Sequence, residues 1–256
     1  MASSKRASSR GKKRKRSGAG RARGAIRARQ PGRSAKHGSV VVELVGPAGA
    51  GKSTLARNVH RADSSVHVGP NLWGLPRLRL MRGAIALVPT IVVSAMRKHR
   101  LRWREIAQMI RLDALRRVLR RMKSRHRVIL LDEGPVFGIS WLDLAFAKRG
   151  AQAPARWRRR ALTRWSHLID SVIFLDANDK QLAGRIRTRE KGHRMENGSN
   201  VAIQRFANGF RKAFEQVIGE LKTTGNVAVD QVRTDGHLSH STARLRAKLA
   251  RQRNGH

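Results

Sequence analysis

A glycine-rich segment near residue 50 has the residue types and the spacing of a phosphate-binding loop. The eight residues from Gly46 to Ser53 read GPAGAGKS, which matches the Walker A pattern, and Thr54 extends it. Glycines let the backbone turn tightly, so that consecutive N–H groups and the start of a following helix point at one anion. Lys52 adds a positive charge for the β- and γ-phosphates, and the Ser53 hydroxyl is placed to ligate Mg²⁺. The predicted nucleotide-binding residues are Gly46, Pro47, Ala48, Gly49, Ala50, Gly51, Lys52, Ser53 and Thr54.

Two adjacent carboxylates, Asp132 and Glu133, follow a second apolar run, Arg127–Leu131. An acid at the end of a strand near a phosphate loop can hold Mg²⁺ through water, and a second acid can accept a proton from an attacking hydroxyl. Strand ends also carry carboxylates that only cap a neighbouring helix. Because the phosphate loop is present, we favour the functional interpretation, with Ser53 and Asp132 near the metal.

A third candidate group contains Arg185, Arg189 and Lys191, within the segment GRIRTREKGHR. Positions 185 and 189 are predicted to share one face of a helix, and Lys191 opens a glycine-containing segment. Such a cluster could close over a transferring phosphoryl group and exclude water. In a chain this rich in arginine, the cluster alone is weak evidence, and its position carries more weight.

The elements that must position these residues are predicted from the apolar pattern. Apolar, β-branched runs predict buried strands, and apolar residues recurring at intervals of three and four predict helices. The predicted strands are Val40–Val45, Arg127–Leu131, Ser171–Leu175 and Asn226–Asp230, and the predicted helices are Ser53 to about Arg61, Trp103–Met122, Ala155–Asp170, a stretch from about Asp179, Val201–Leu221 and Ser239–Arg251. Strands that alternate with helices indicate an α/β fold with a parallel sheet between two helical layers. Residues 71–96 show no clean period.

With these motifs in place, the sequence resembles the thymidylate kinase and deoxynucleoside kinase branch of the P-loop kinases. Three segments carry the resemblance: VELVGPAGAGKST (Val42–Thr54), VILLDEGP (Val128–Pro135) and FLDANDKQLAGRIRTREK (Phe174–Lys191). The guanine signature Asn-Lys-x-Asp of GTPases and the Leu-Ser-Gly-Gly segment of ABC-type ATPases are absent.

The resemblance implies a three-layer P-loop fold with about five strands, ATP and Mg²⁺ as the donor system, and phosphoryl transfer to a nucleoside or nucleoside monophosphate. Glu133 then lies where deoxynucleoside kinases place their base, and Asp132 where related nucleotide kinases keep an acid near the metal. The resemblance thus implies Glu133 as the base for a hydroxyl acceptor and Asp132 for an acceptor that is already a phosphate. The sequence departs from the family pattern at Lys191, which replaces the last lid arginine, and at Gly134, where the family usually has an arginine.

Other features of the acceptor side remain open from sequence. The resemblance places a helical insertion at about 66–125 and a lid at about 189–200. Five tryptophans could stack on an acceptor base, although isolated tryptophans are more often core residues. They are Trp73, Trp103, Trp141, Trp157 and Trp165. His60, His67, His126 and His193 show no metal-ligand spacing, so no zinc site is predicted.

The 256-residue chain has a formal net charge of +40 and no cysteine. The missing cysteine excludes a disulfide framework and a cysteine nucleophile. An anionic partner such as nucleic acid or a membrane surface would explain the charge, and a GC-rich coding sequence would explain it equally well. The longest apolar run, Gly83–Met96, is too short to span a bilayer and contains Pro89, and no secretory signal is evident. We therefore expect a cytoplasmic protein, or a nuclear one if eukaryotic.

Residues 1–38 carry 14 of the basic residues and no acidic one, with Met1 and Ile26 as the only large aliphatic residues. This composition predicts a disordered basic tail, which could contact nucleic acid non-specifically or simply aid solubility. Residues 39–256 form the predicted P-loop domain. A rival hypothesis makes the protein a nucleic-acid-associated ATPase or nucleotide-gated binding protein, and the acceptor could also be a sugar, a lipid-linked group or another small molecule.

Overall fold

The computed structural model describes residues 38–96, 101–189, 193 and 195–254. Five strands in this part of the chain form one parallel sheet. In chain order they are β1 (Val40–Val45), β2 (Val66–Val68), β3 (Val128–Asp132), β4 (Ser171–Asp176) and β5 (Ala228–Arg233). They lie in the order β2–β3–β1–β4–β5, with β1 in the centre, paired to β3 on one side and to β4 on the other.

Helices cover both faces of the sheet. They are α1 (Lys52–Ala62), α2 (Arg77–Met96), α3 (Trp103–Met122), α4 (Pro135–Ala147), α5 (Ala155–Ser166), α6 (Asp179–Arg187), α7 (Asn200–Thr224) and α8 (Leu238–Asn254). No helix within the described residues is long and apolar enough to cross a membrane.

The alternation of side chains along β1 separates two cores. Val41 and Val45 face a core built with α3, α4, α5 and α7, to which α2 adds Leu87. Val40, Val42 and Leu44 face a second core, built mainly with α1 and α8. The predicted α/β fold, a parallel sheet between helical layers, is confirmed.

Several predicted elements match closely and others differ. The helix Trp103–Met122 and the strand Val40–Val45 have the predicted bounds, whereas α5 ends at Ser166 and β5 begins two residues later than expected. The sequence pattern missed β2 and α4, and it made no prediction for α2. The predicted basic tail, residues 1–38, lies outside the described residues except for its last position.

The sheet brings the predicted functional segments to one edge. The phosphate loop follows β1, Asp132 ends β3, and the segment containing Arg185 follows β4. From β1 the chain goes to β2 at one edge of the sheet and then to β3, which lies between β2 and β1. It then crosses to β4 on the other side of β1, so the strand order reverses next to β1. In open parallel sheets, ligands bind beyond the carboxyl ends of the strands at such a reversal.

Candidate active site

The phosphate loop is shaped by glycines for which a side chain would have no room. Gly46 has a φ of 156°, and a Cβ at this position would lie 2.1 Å from the Leu175 carbonyl oxygen. Gly49 has a φ of 84°, and its Cβ would lie 2.8 Å from the Leu182 carbonyl oxygen. Only glycine tolerates both the positive φ and the close approach of another backbone. The loop is therefore fixed between β4 and α6.

The N-terminus of α1 opens directly from this loop. Gly51 is the N-cap residue, in a left-handed conformation with a φ of 83°, and no side chain caps the helix. The first turn contains no acidic residue. The first N–H groups and the positive end of the helix dipole therefore remain available to an anion.

Lys52 folds back over the loop that precedes it. Its Nζ donates hydrogen bonds to the carbonyl oxygens of Gly46 at 2.8 Å and Pro47 at 3.1 Å. Burial lowers the pKa of the Lys52 ammonium, while the charges of Asp132 and Glu133 act in the opposite direction. The ammonium is thus held within the loop, beside both carboxylates, at the position predicted for phosphate contact.

Ser53 and Asp132 meet across the end of the sheet. The Ser53 hydroxyl donates a short hydrogen bond to Asp132 Oδ2, although 79 residues separate the two in sequence. Asp132 Oδ1 is buried and has no protein hydrogen-bond partner. A buried carboxylate oxygen without a partner is costly unless water or a cation satisfies it. Mg²⁺ usually takes one or two protein oxygens and completes its shell with water and phosphate, so this pair fits the ion.

Glu133 occupies the turn between β3 and α4 in a left-handed conformation that is unusual for a residue with a side chain, with a φ of 64°. Burial raises the pKa of the Glu133 carboxyl and the nearby charge of Asp132 adds to this effect, whereas Lys52, Arg189 and a hydrogen bond from the Trp73 side chain oppose it. Trp73 is held in turn by Arg111, whose guanidinium carbon lies 4.5 Å from the centre of the indole ring. Glu133 is therefore a partly buried carboxyl group that lines the same cleft as Lys52.

A third acidic residue, which the sequence analysis did not single out, binds the helix that follows this turn. Glu43 lies in the middle of β1 and is fully buried. Its two oxygens accept hydrogen bonds from the backbone N–H groups of Val136 at 2.9 Å and Phe137 at 3.1 Å, in the first turn of α4. Burial raises the pKa of Glu43 to about 8, despite the opposing effect of these N–H donors. Glu43 thus ties the start of α4 to the central strand.

The contact with Glu43 also explains Gly134, the residue that departs from the family pattern. A Cβ at Gly134 would lie 2.7 Å from Glu43 Cδ and 3.0 Å from both carboxylate oxygens. Any side chain here would push Glu43 away from α4. The buried side chain of Glu43 therefore requires glycine at position 134.

Arg185 is part of the site, but it contacts the loop backbone. Its guanidinium donates to the Gly49 carbonyl at 3.3 Å and to the Thr234 carbonyl at 2.7 Å. It therefore joins the phosphate loop to the segment that follows β5. The prediction that positions 185 and 189 share a helix face was wrong, because α6 ends at Arg187 and Thr188 is its C-cap residue.

Arg189 lies beyond the end of α6 and lines the same cleft as the phosphate loop. It is close enough to Lys52 and Glu133 to influence the pKa of each. Lys191, the third member of the predicted cluster, lies outside the described residues.

The cleft over the loop has a volume of about 900 Å³. Its wall away from the loop is aromatic, and of the residues there the sequence analysis named only Trp141 as one that could stack on an acceptor base. The lining residues on that wall are Phe137, Trp141, His193, Phe206, Phe210 and Phe214. The rings of Phe137 and Phe210 are nearly parallel, with centroids 6.1 Å apart. For the three phenylalanines of α7, the sequence signal was the four-residue spacing of Phe206, Phe210 and Phe214, which places them on one face of the helix.

Partly buried ion pairs fix the helices that carry these rings. Arg158 of α5 donates to Asp143 of α4 at 2.8 Å and to Glu220 of α7 at 2.9 Å. Arg211 of α7 pairs with Asp176, at the end of β4, at 2.9 Å, and with Asp179 at 2.7 Å. The two arginines therefore set α4 and α7 against each other and against the sheet. The tryptophans named from the sequence lie in different surroundings. Trp165 is a core residue, Trp141 lines the cleft and Trp103 is 74% exposed.

No protein-family model matches the sequence, and no curated protein matches it. Among solved structures, the chain is similar to the deoxyadenosine kinase from M. mycoides with the products dCMP and a flexible dCDP bound. The TM-score is 0.52 at 14% sequence identity, over 82% of this chain and 99% of that chain. A structure of the same enzyme with bound dATP gives a TM-score of 0.49 at 14% identity, over 82% of this chain and all of that one. At this level of identity, the first likeness shows a shared fold.

Proposed function

We propose that this protein is an ATP-dependent phosphotransferase that transfers the γ-phosphoryl group of ATP to a nucleoside or a nucleoside monophosphate. The observation that carries the proposal is the arrangement of three charged groups around the phosphate loop. Lys52 lies in the loop, Asp132 accepts a hydrogen bond from Ser53, and Glu133 lines the same cleft. Phosphoryl transfer depends mainly on positioning and on charge stabilisation, and these residues can supply both.

The donor side follows from the loop and from α1. Backbone N–H groups at the start of α1 bind the phosphates, and Lys52 moves from the loop carbonyls to the phosphate oxygens when ATP enters. Ser53 and Asp132 would hold Mg²⁺, which when bound supplies positive charge to the phosphate oxygens. Arg189, which lines the same cleft, adds positive charge near Lys52 and Glu133.

The acceptor side follows from Glu133 and the aromatic wall. The acceptor hydroxyl oxygen forms a bond to the γ-phosphorus, the bond from that phosphorus to the β–γ bridging oxygen breaks, and the hydroxyl proton passes to the Glu133 carboxylate. The Phe137 and Phe210 rings offer apolar surfaces to a planar base. A monophosphate acceptor carries its own anionic oxygen and needs no strong base. The presence of Glu133 therefore favours a nucleoside as the acceptor.

The test is transfer of labelled γ-phosphate from ATP and Mg²⁺ to a panel of nucleosides and nucleoside monophosphates. Lys52→Met keeps the side-chain length but removes the charge, so we expect product from the native protein and only background from this variant. Lys222→Met, at an exposed lysine of α7, is the matched control and should retain activity. ATP binding without any phosphorylated product across the panel would contradict the proposal.

A further inference from the structure

Helix α2 carries two apolar faces, and only one of them packs against other residues that the structure describes. Leu80, Ala84, Leu87 and Ile91 contact the core. A second row recurs at intervals of three and four: Leu78, Met81, Ile85, Val88 and Val92. These five side chains are between 49% and 71% exposed. The exposed row is called the α2 outer face below.

An apolar stripe of this length needs a covering partner. Helices that are apolar all round are normally buried, and monomeric proteins rarely expose large contiguous apolar patches. Within the described part of the chain, this row stays exposed to solvent. Residues 1–37 are poorly suited to cover it, because Met1 and Ile26 are their only large aliphatic residues.

The basic charge around the α2 outer face favours an anionic surface over a second copy of the chain as its partner. The helix contains no acidic residue, and its first half contributes Arg79 and Arg82. The sequence continues from its end as RKHRLR, residues 97–102. A second copy would bring the same basic groups into contact in a chain of net charge +40, which is unfavourable. An anionic surface would instead be attracted to Arg79 and Arg82 and to the basic residues that follow α2 in the sequence.

We propose that the α2 outer face binds the surface of an anionic lipid bilayer, with the helix lying in the plane of the interface. Such helices bury an apolar face among the acyl chains, while basic residues contact the headgroups. Trp103 fits this arrangement, because it begins the next helix, is 74% exposed, and belongs to the residue type that prefers the membrane interface. The proposal concerns attachment to a surface and does not depend on the proposed catalytic activity.

The test measures sedimentation of the full chain with vesicles of phosphatidylcholine alone, or with about 30% phosphatidylserine added. The variant Met81→Gln/Ile85→Gln removes two exposed apolar side chains and changes no charge. Val201→Gln/Leu238→Gln is the matched control, since these are exposed aliphatic residues on other helices. We expect binding only to the phosphatidylserine vesicles, a roughly tenfold or greater loss of partitioning for the α2 variant, and native partitioning for the control.

Three results would overturn the proposal. The first is the absence of binding to phosphatidylserine vesicles. The second is binding that falls with salt but is equal in the native protein and in Met81→Gln/Ile85→Gln, because general basic charge would then account for it. The third is a dimer in sedimentation velocity that the α2 variant dissociates while vesicle binding is unaffected, because a second copy would then cover the α2 outer face.

Discussion

At the scale of single residues, the site depends on three carboxylates that the fold treats differently. Asp132 accepts a hydrogen bond from Ser53 and has one oxygen without a partner, which suits a metal ligand. Glu133 faces the cleft with a raised pKa, which suits a base. Glu43 is buried beneath both and accepts only backbone N–H groups. Neighbouring acids thus take separate roles because their surroundings differ.

The role of Glu133 is tested by Glu133→Gln. The amide keeps the shape of the side chain but cannot accept the acceptor proton, so we expect kcat for a nucleoside to fall roughly 10²–10⁴-fold. For a nucleoside monophosphate we expect little change, because that acceptor is already ionised. The measurement is steady-state kinetics with both acceptor classes, and Glu215→Gln, on the exposed side of α7, is the control. Equal losses with both classes would show that Glu133 positions the turn instead of moving a proton.

At the scale of elements, β1 and α4 are joined through Glu43, and this joint places the β3–α4 turn. The turn carries Asp132 and Glu133 from the end of β3, and Gly134 leaves room for the Glu43 carboxylate. Distortion of α4 would also move Phe137, which both bonds to Glu43 and lines the cleft. The contact of Glu43 with α4 therefore links Glu133, Asp132 and the aromatic wall, which are the proposed base, metal ligand and acceptor wall.

Stability should depend on pH through Glu43. Its pKa is about 8 in the folded protein, against an ordinary value of 4.5, so the folded state retains a proton that the unfolded chain releases. The stability from this group is present in full below about pH 4.5 and is lost as the pH rises through about 8. The free energy of unfolding of the native protein should therefore fall between about pH 5 and about pH 9 relative to that of Glu43→Gln, which does not titrate.

Urea unfolding of both proteins across this pH range measures the effect. At acid pH, Glu43→Gln should be less stable by about 1–3 kcal/mol, because its amide nitrogen faces a backbone donor. The difference should narrow as the pH rises. A constant difference across the range would show that folding does not raise the pKa of Glu43, and that its carboxyl is ionised in the folded and unfolded states alike.

The sequence predicted the elements whose signal is local. Glycine spacing identified the phosphate loop, and an uninterrupted apolar run identified β1. β2 has three residues, too few for a periodic pattern, and the two apolar faces of α2 erase the period that one face would give. Glu43 could not be recognised as a special residue, because its partners Val136 and Phe137 lie more than ninety residues away. The contacts of Arg185 are hidden in the same way, since Gly49 is 136 residues distant.

At the scale of the whole molecule, the two hypotheses differ in whether the basic N-terminal residues are needed for activity. Within the described residues, the five strands and both main core clusters lie between residues 40 and 249. A kinase acting on a small acceptor should therefore work without residues 1–37. An ATPase that acts on nucleic acid should need them, because they hold 14 of the 56 basic residues.

Deletion of residues 1–37 separates these two hypotheses. We expect kcat/KM for the small acceptor to be preserved, since the loop, both carboxylates and the aromatic wall all lie after residue 40. Binding to a DNA duplex should weaken, and the slope of log K against log salt should become shallower, because fewer phosphate counterions are released. The two measurements are transfer kinetics and a salt titration of DNA binding, made on the full and the shortened chains. The contrary result would be loss of transfer to the small acceptor on deletion, together with ATP hydrolysis that DNA stimulates in the full chain. The basic segment would then be required for activity, and nucleic acid would replace the nucleoside as the partner of the enzyme.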